Sequence, residues 1–172
     1  IGLNFANYAG RMYGQAEHKL KSFVARNIEK LVIDNWDIIF FSTCSVDKLY
    51  ISDYLLKDTK FQYKYIETNS INQTLDLIYS FDIVLAQRLH CLIFSDCTFT
   101  PSIPIISELK FLDYYETIGL KRNSFRIDLL NEKNVYNEIK RIYENLENES
   151  QTVYDYMQKT KENFFNLKFK DI

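Results

Sequence analysis

Apolar positions along the chain fall into two alternating patterns: short unbroken runs, and longer segments with an apolar residue every third or fourth position. Ile1–Ala6 reads as a first strand, and Trp36–Ser42 is a run without alternation, the mark of a strand covered on both faces. Between them Leu20, Val24, Ile28 and Leu31 recur at steps of four, four and three, which predicts a helix. Gly10 and Gly14 flank the turn that leads into it. A helix over Val46–Lys57 and a strand over Phe61–Ile66 follow. Ser70-Ile-Asn-Gln73 has the form of a capping box and opens a helix to about Phe81. Asp82–Ala86 predicts the next buried strand and Leu89–Cys97 the next helix. Pro101 and Pro104 flank the start of a strand over Ile103–Ser107, and a helix from about Phe111 ends at Gly119. Phe125–Asp128 reads as a sixth strand. Two helices close the chain, one with Val135, Ile139, Ile142 and Leu146 on a face, the other with Val153, Met157, Thr160 and Phe164. Glu147–Ser150 reads as a polar break between them.

Strand, helix, strand, repeated along the chain, implies parallel βαβ units with right-handed crossovers. The expected fold is α/β: a doubly wound, mostly parallel Rossmann-like sheet of about six strands with helices on both faces. Residues 1–147 are expected to form this domain. Residues 148–172 are expected to form a C-terminal helix that packs back on it or reaches toward a further half. The chain opens at Ile1, without Met and inside an apolar run, so a preceding N-terminal half is expected.

Composition narrows the class of function. The 172 residues are 47% apolar and 26% charged, the balance of a globular domain rather than a disordered one. A net charge of −2 gives no basic footprint, so nucleic acid is not expected as a partner. No apolar run approaches the length of a transmembrane span, and a cytoplasmic location is expected. Cys44, Cys91 and Cys97 form no CxxC pair and read as small buried residues in a reducing compartment. With two histidines, scattered cysteines and no HExxH, P-loop or GxGxxG, no metal site and no cofactor are expected. His18, between Glu17 and Lys19, reads as a solvated helix residue.

In a doubly wound sheet ligands bind beyond the carboxyl ends of the strands, near the point where strand order reverses. The residues in those places are Asn4 and Asn7, Ser42 and Thr43, Glu67 and Thr68, Gln87 to His90, and Ser107 to Lys110. Gln87-Arg88-Leu89-His90 carries the most chemistry, because it follows a buried strand and starts a helix. Arg88 offers a permanently charged fork suited to carboxylate or phosphate. His90 supplies an imidazole, and the helix start adds backbone donors and the positive end of its dipole. The competing reading makes Arg88 a structural ion pair and His90 an ordinary helix residue.

The segment Asp82-Ile-Val-Leu-Ala-Gln-Arg-Leu-His90, then Ile103-Pro-Ile-Ile-Ser-Glu-Leu-Lys110-Phe111, then Ile118-Gly119-Leu120, resembles the signature of the polysaccharide pyruvyl transferase family. The resemblance implies one half of a two-domain fold like that of GT-B glycosyltransferases, here the C-terminal half. It implies transfer of the pyruvyl group of phosphoenolpyruvate to two hydroxyls of a saccharide, giving a cyclic ketal and phosphate. The acceptor would be a precursor of a cell-surface or capsular polysaccharide. By the same resemblance Arg88 binds the donor's carboxylate or phosphate and His90 acts at the reacting centre. Leu89 and Lys110 are expected to join the substrate site. Near the end of the first strand, where a further cation is expected, this chain departs from the family with Asn4 and Asn7, which are placed at the substrate site by their position. Arg11, a turn later, is the expected substitute. Ser107-Glu108 departs from the tyrosine common before the family's Lys, and Glu108 beside a bound anion needs Lys110 to neutralise it. Two alternatives remain open: the nucleotide-sugar half of a glycosyltransferase with the same fold, and a non-catalytic Rossmann-like binding module.

Overall fold

The computed structural model describes residues 1–7, 17–59, 61–120 and 122–168. Its strands are β1 (Gly2–Asn4), β2 (Ile39–Ser42), β3 (Lys64–Glu67), β4 (Val84–Ala86), β5 (Ser102–Ile106) and β6 (Phe125–Arg126). All pair in parallel, in the order β3-β2-β1-β4-β5-β6. The helices are α1 (Glu17–Ile33), α2 (Ser45–Tyr50), α3 (Ile71–Tyr79), α4 (Leu89–Cys97), α5 (Lys110–Ile118), α6 (Glu132–Glu144) and α7 (Leu146–Lys168). This is a doubly wound α/β sheet, as the alternation of patterns implies. Strand order reverses between β1 and β4.

Successive strand residues point to opposite faces, and both faces are packed. Leu3, Phe40, Leu85, Ile103 and Ile105 join one core with Leu20, Val24, Ile28 and Leu31 of α1 and Val135, Ile139 and Ile142 of α6. Phe41, Val84, Ala86 and Ile106 join the other with Ile78 of α3, Leu92 of α4 and Phe111 of α5. Burial on both sides is why these strands read as unbroken apolar runs.

Local chemistry sets several boundaries. Ser70 caps α3 by accepting from the N–H of Gln73 at 3.2 Å, while the Gln73 amide oxygen reaches back one residue further than a standard box, to the N–H of Asn69 at 3.0 Å. Gly119, at φ +70°, ends α5 in the left-handed conformation that favours glycine. Pro104 lies inside β5. It is tolerated there because β6 begins to pair with β5 only at Ile105, while Pro101 and its neighbours serve β4.

Three expectations are corrected. The helix after β2 is α-helical only to Tyr50 and continues over Ile51–Leu55 as a wider π-helical stretch, where Tyr50 and Tyr54 stack at 5.3 Å. The break between the last two helices falls at Asn145, whose side chain bonds the carbonyl of Arg141, and Glu147–Ser150 is already helical. Polar residues on an exposed helical turn cost little, so their polarity did not mark an interruption. The cysteines are not uniformly buried: Cys91 is buried, Cys44 half-buried and Cys97 exposed, all three as free thiols. The turn with Gly10 and Gly14 lies outside the described residues.

The first turns of α7 pack on α4, α5 and α6. Phe99, in a left-handed conformation just after α4, sets its ring edge-on to Tyr154 at 5.0 Å. Beneath this contact, near the amino ends of the strands, Asp96 of α4 is fully buried and pairs with Arg122 at 2.6 Å. Tyr114 donates to the same carboxylate at 2.9 Å, and Arg122 also bonds Ser102 and lies over the Tyr115 ring. Burial lifts the Asp96 carboxyl above its usual pKa while Arg122 and Tyr114 oppose the shift. A carboxyl with a raised folded pKa favours the native state at low pH, and that contribution is lost as pH rises above 3.8 through the folded value. Replacing Arg122 by Ala strands the carboxylate, so we expect a loss of about 3–5 kcal/mol in urea unfolding. We also expect a steeper decline in stability with rising pH than in the parent.

Candidate functional site

The β1/β4 junction is where the two halves of the sheet diverge, and polar side chains tie its loops together. Asn4, the last residue of β1, is fully buried. Its amide donates to the carbonyl of Phe41 at 3.0 Å and accepts from the N–H of Arg88 at 3.2 Å. One side chain thus ties the carboxyl ends of β2, β1 and β4. Gln87, also buried, accepts from the N–H of Ala6 at 3.1 Å and donates to the Ser107 hydroxyl at 2.8 Å, which extends the tie to β5.

Arg88 is the N-cap of α4 with extended backbone angles and caps with no side-chain bond. The N–H groups of Leu89 and His90 therefore precede the first intrahelical acceptor. The guanidinium of Arg88 pairs with Asp47 through two bonds, Nε to Oδ2 at 2.5 Å and Nη2 to Oδ1 at 2.7 Å. The Asp47 side chain is 0% exposed, whereas that of Arg88 keeps 26%. Asn7, itself exposed, gives its backbone N–H to Asp47 Oδ1 at 3.1 Å. Leu89 is half-buried and His90 is exposed on the first turn of α4. Lys110 opens α5 and pairs with Glu108 at 2.6 Å, the neutralisation that Glu108 was expected to need. Arg11 lies outside the described residues.

The geometry therefore joins Asn4, Asn7 and Arg88 in one bonded cluster with His90 two residues on. Asp47 was missed in the sequence. An acidic residue in a first helical turn is commonplace, and nothing local shows that it faces an arginine 41 positions away. Asn4 and Asn7 act differently from each other: Asn4 through a buried side chain, Asn7 through its backbone.

A cleft of about 500 Å³ opens at the carboxyl ends of β2 and β3, lined by Thr43, Ser45, Glu67, Asn69 and Phe94 among others. Phe94 lies one turn beyond His90 on α4, so both occupy the same flank of that helix. Four other cavities, near Phe99, Arg122, Asp37 and Gln62, open toward the amino ends of the strands, away from the cluster. Cys91 is no nucleophile here, because burial pushes its thiol up to about 12 despite the opposing charge of Arg88. Among the described residues no group of acidic, histidine and cysteine side chains is arranged to hold a metal ion, and no helix is long and apolar enough to cross a membrane.

Fold and cluster define a doubly wound α/β protein whose polar junction lies at the reversal of strand order. The family model described as polysaccharide pyruvyl transferase matches residues 3–108, from β1 through the residue pair after β5. The chain belongs to the polysaccharide pyruvyl transferase family. The match takes in Asn4, Asn7, Asp47, Arg88 and His90 and ends before Lys110. No curated protein and no solved structure matches the chain.

Replacing Asn4 by Leu leaves a buried carbonyl and a partly buried N–H without their partner, and we expect a loss of about 2–4 kcal/mol in denaturant unfolding. With a thiol reagent under native conditions, exposed Cys97 is expected to react well before Cys91, which reacts only at the rate of unfolding, checked by mass spectrometry of labelled peptides.

Proposed function

We propose that this chain is the donor-binding half of a two-domain pyruvyl transferase that joins phosphoenolpyruvate to a saccharide as a cyclic ketal. The observation that carries the reading is the family match together with the position of Arg88, Leu89 and His90 at the carboxyl end of β4. A fork of donors, an imidazole and uncapped helix N–H groups converge at that point, a set suited to a small, multiply charged anion.

The reaction balances without an added reductant or oxidant. A proton adds to the methylene carbon of the donor, which becomes the methyl group of the ketal. Two acceptor hydroxyls each lose a proton and form a C–O bond to the former enol carbon. The bond from that carbon to the phosphate oxygen breaks, and inorganic phosphate leaves. His90 moves one of these protons, since an imidazole both gives and accepts them. Leu89 and His90 present backbone N–H groups to the donor, and positive charge beside the leaving phosphate stabilises its departure.

Charge sets a condition on this site. Arg88 is paired with Asp47 and Lys110 with Glu108, so these four groups sum to zero. The donor's negative charge then has to be met by the α4 terminus and by a further cation, the part we assign to Arg11 after β1. The acceptor lies in the cleft beside α4, where Glu67 and Asn69 offer hydroxyl partners and Phe94 an apolar flank. The other half of the enzyme, which we place N-terminal to this one, closes the cleft. The saccharide belongs to a cell-surface polysaccharide and is modified in the cytoplasm before export.

A thermal-shift titration of the intact protein tests the donor. A ligand that binds only the native state at a hundred times its Kd adds about 2.7 kcal/mol of stability. Phosphoenolpyruvate is expected to raise the midpoint and a nucleotide diphosphate sugar to leave it unchanged; the opposite ranking assigns the chain to the glycosyltransferase reading. Arg88→Lys keeps the charge and loses the fork, and should weaken phosphoenolpyruvate binding about tenfold or more. His90→Gln should reduce phosphate release about 10²–10⁴-fold with little change in donor affinity.

A further inference from the structure

Asp47 occupies an unusual place for a carboxylate near an anion site. It is the third residue of α2, the helix after β2, and its side chain passes over the end of β1 to reach Arg88 at the end of β4. It also receives the backbone N–H of Asn7, just after β1. Three loops from three adjacent strands thus meet on one carboxylate that is wholly excluded from solvent.

By charge alone this arrangement opposes anion binding, because a buried carboxylate cancels the field of the guanidinium that it holds. Its contribution is geometric. Both carboxylate oxygens engage the Nε–Nη2 edge, and such a two-point bond fixes the plane and the direction of the fork. A guanidinium carries five N–H donors, and the bond to Asp47 uses two of them. An arginine tethered at a single point sweeps a wide arc, and a displacement of about 1 Å at a reacting centre can cost on the order of a hundredfold.

We infer that Asp47 is a positioning residue for the donor site: it fixes the Arg88 guanidinium, beside the backbone of Asn7, in the orientation that receives the acidic donor. The inference rests on the proposal that Arg88 binds phosphoenolpyruvate. It assigns to Asp47 no contact with the donor.

The test separates geometry from charge. Asp47→Glu retains the charge but moves the carboxylate by one methylene, whereas Asp47→Asn retains the shape and removes the charge. Calorimetric titration of the intact protein with phosphoenolpyruvate reads the Kd, with circular dichroism reporting folding. Positioning predicts that Asp47→Glu raises the Kd about tenfold or more. It predicts that the same change in an Arg88→Lys background adds less than about twofold, because contacts that act through one another are not additive. A purely electrostatic role predicts an unchanged Kd for Asp47→Glu and a lower one for Asp47→Asn, and either result in folded protein overturns the inference. A full additional loss in the Arg88→Lys background also overturns it, since Asp47 would then act by another route. If Asp47→Glu does not fold, Asp47→Asn decides: a raised Kd supports positioning, and an equal or lower one refutes it. If Arg88→Lys leaves the parent Kd unchanged, the donor-site proposal fails and this inference with it. If Arg88→Lys weakens binding and Asp47→Glu does not, the inference fails alone.

Discussion

The junction between β1 and β4 is the constraint on which this structure turns. A doubly wound sheet must send its crossovers to opposite sides at one point, and the loops there separate instead of covering each other. Backbone groups at the strand ends are left to find partners among side chains. Asn4 meets two of them, the carbonyl of Phe41 and the N–H of Arg88, and Gln87 meets the N–H of Ala6 while holding Ser107. The Asp47–Arg88 pair then closes the same junction from the side of β2. The proposed donor-binding groups and the structural ties are therefore the same residues or immediate neighbours. That proximity gives the site its rigidity.

Charge in this protein is placed by pairing rather than by accumulation. Asp47 with Arg88, Lys110 with Glu108 and Asp96 with Arg122 are three close ion pairs, and two of them involve a carboxylate with no solvent exposure. A buried carboxylate without its cation would be severely unfavourable, so each partner is required wherever the other is present. At the amino ends of the strands the Asp96–Arg122 pair fastens α4 to the loop before β6, with Tyr114 and Ser102 completing the bonds. The corresponding pair at the carboxyl ends keeps a quarter of its arginine exposed. The two pairs have similar chemistry and opposite settings: one is almost wholly buried near the amino ends of the strands, the other lies at their carboxyl ends with part of its arginine exposed.

The resemblance to polysaccharide pyruvyl transferases rested on an ordered set of short elements, and the family match covers the part of the chain that builds the junction. The later segment, from α5 through α7, lies outside that match. It nonetheless supplies the cover for α1 and α4, with Val135, Ile139 and Ile142 completing one core. The polar junction and much of its cover are thus supplied by different parts of the chain. The first strands and their loops carry the polar junction, and the last helices carry much of the packing that holds it.

The sequence by itself determined the element order, the parallel fold and the placing of Arg88 and His90 at a strand-to-helix turn. Those properties follow from local periodicity and from runs that only a doubly covered strand requires, such as Phe40-Phe41 pointing into two different cores. It failed at boundaries where local chemistry is silent, as at Asn145, where a single residue rather than the polar Glu147–Ser150 separates two helices. Which charges meet was decided only by tertiary structure. Asp47 and Arg88 are 41 positions apart and become partners because β2, β1 and β4 lie side by side with their carboxyl ends level. Periodicity reports which face of an element is covered, but an ion pair depends on where two separate elements end in space, and that is fixed by the order of strands in the sheet.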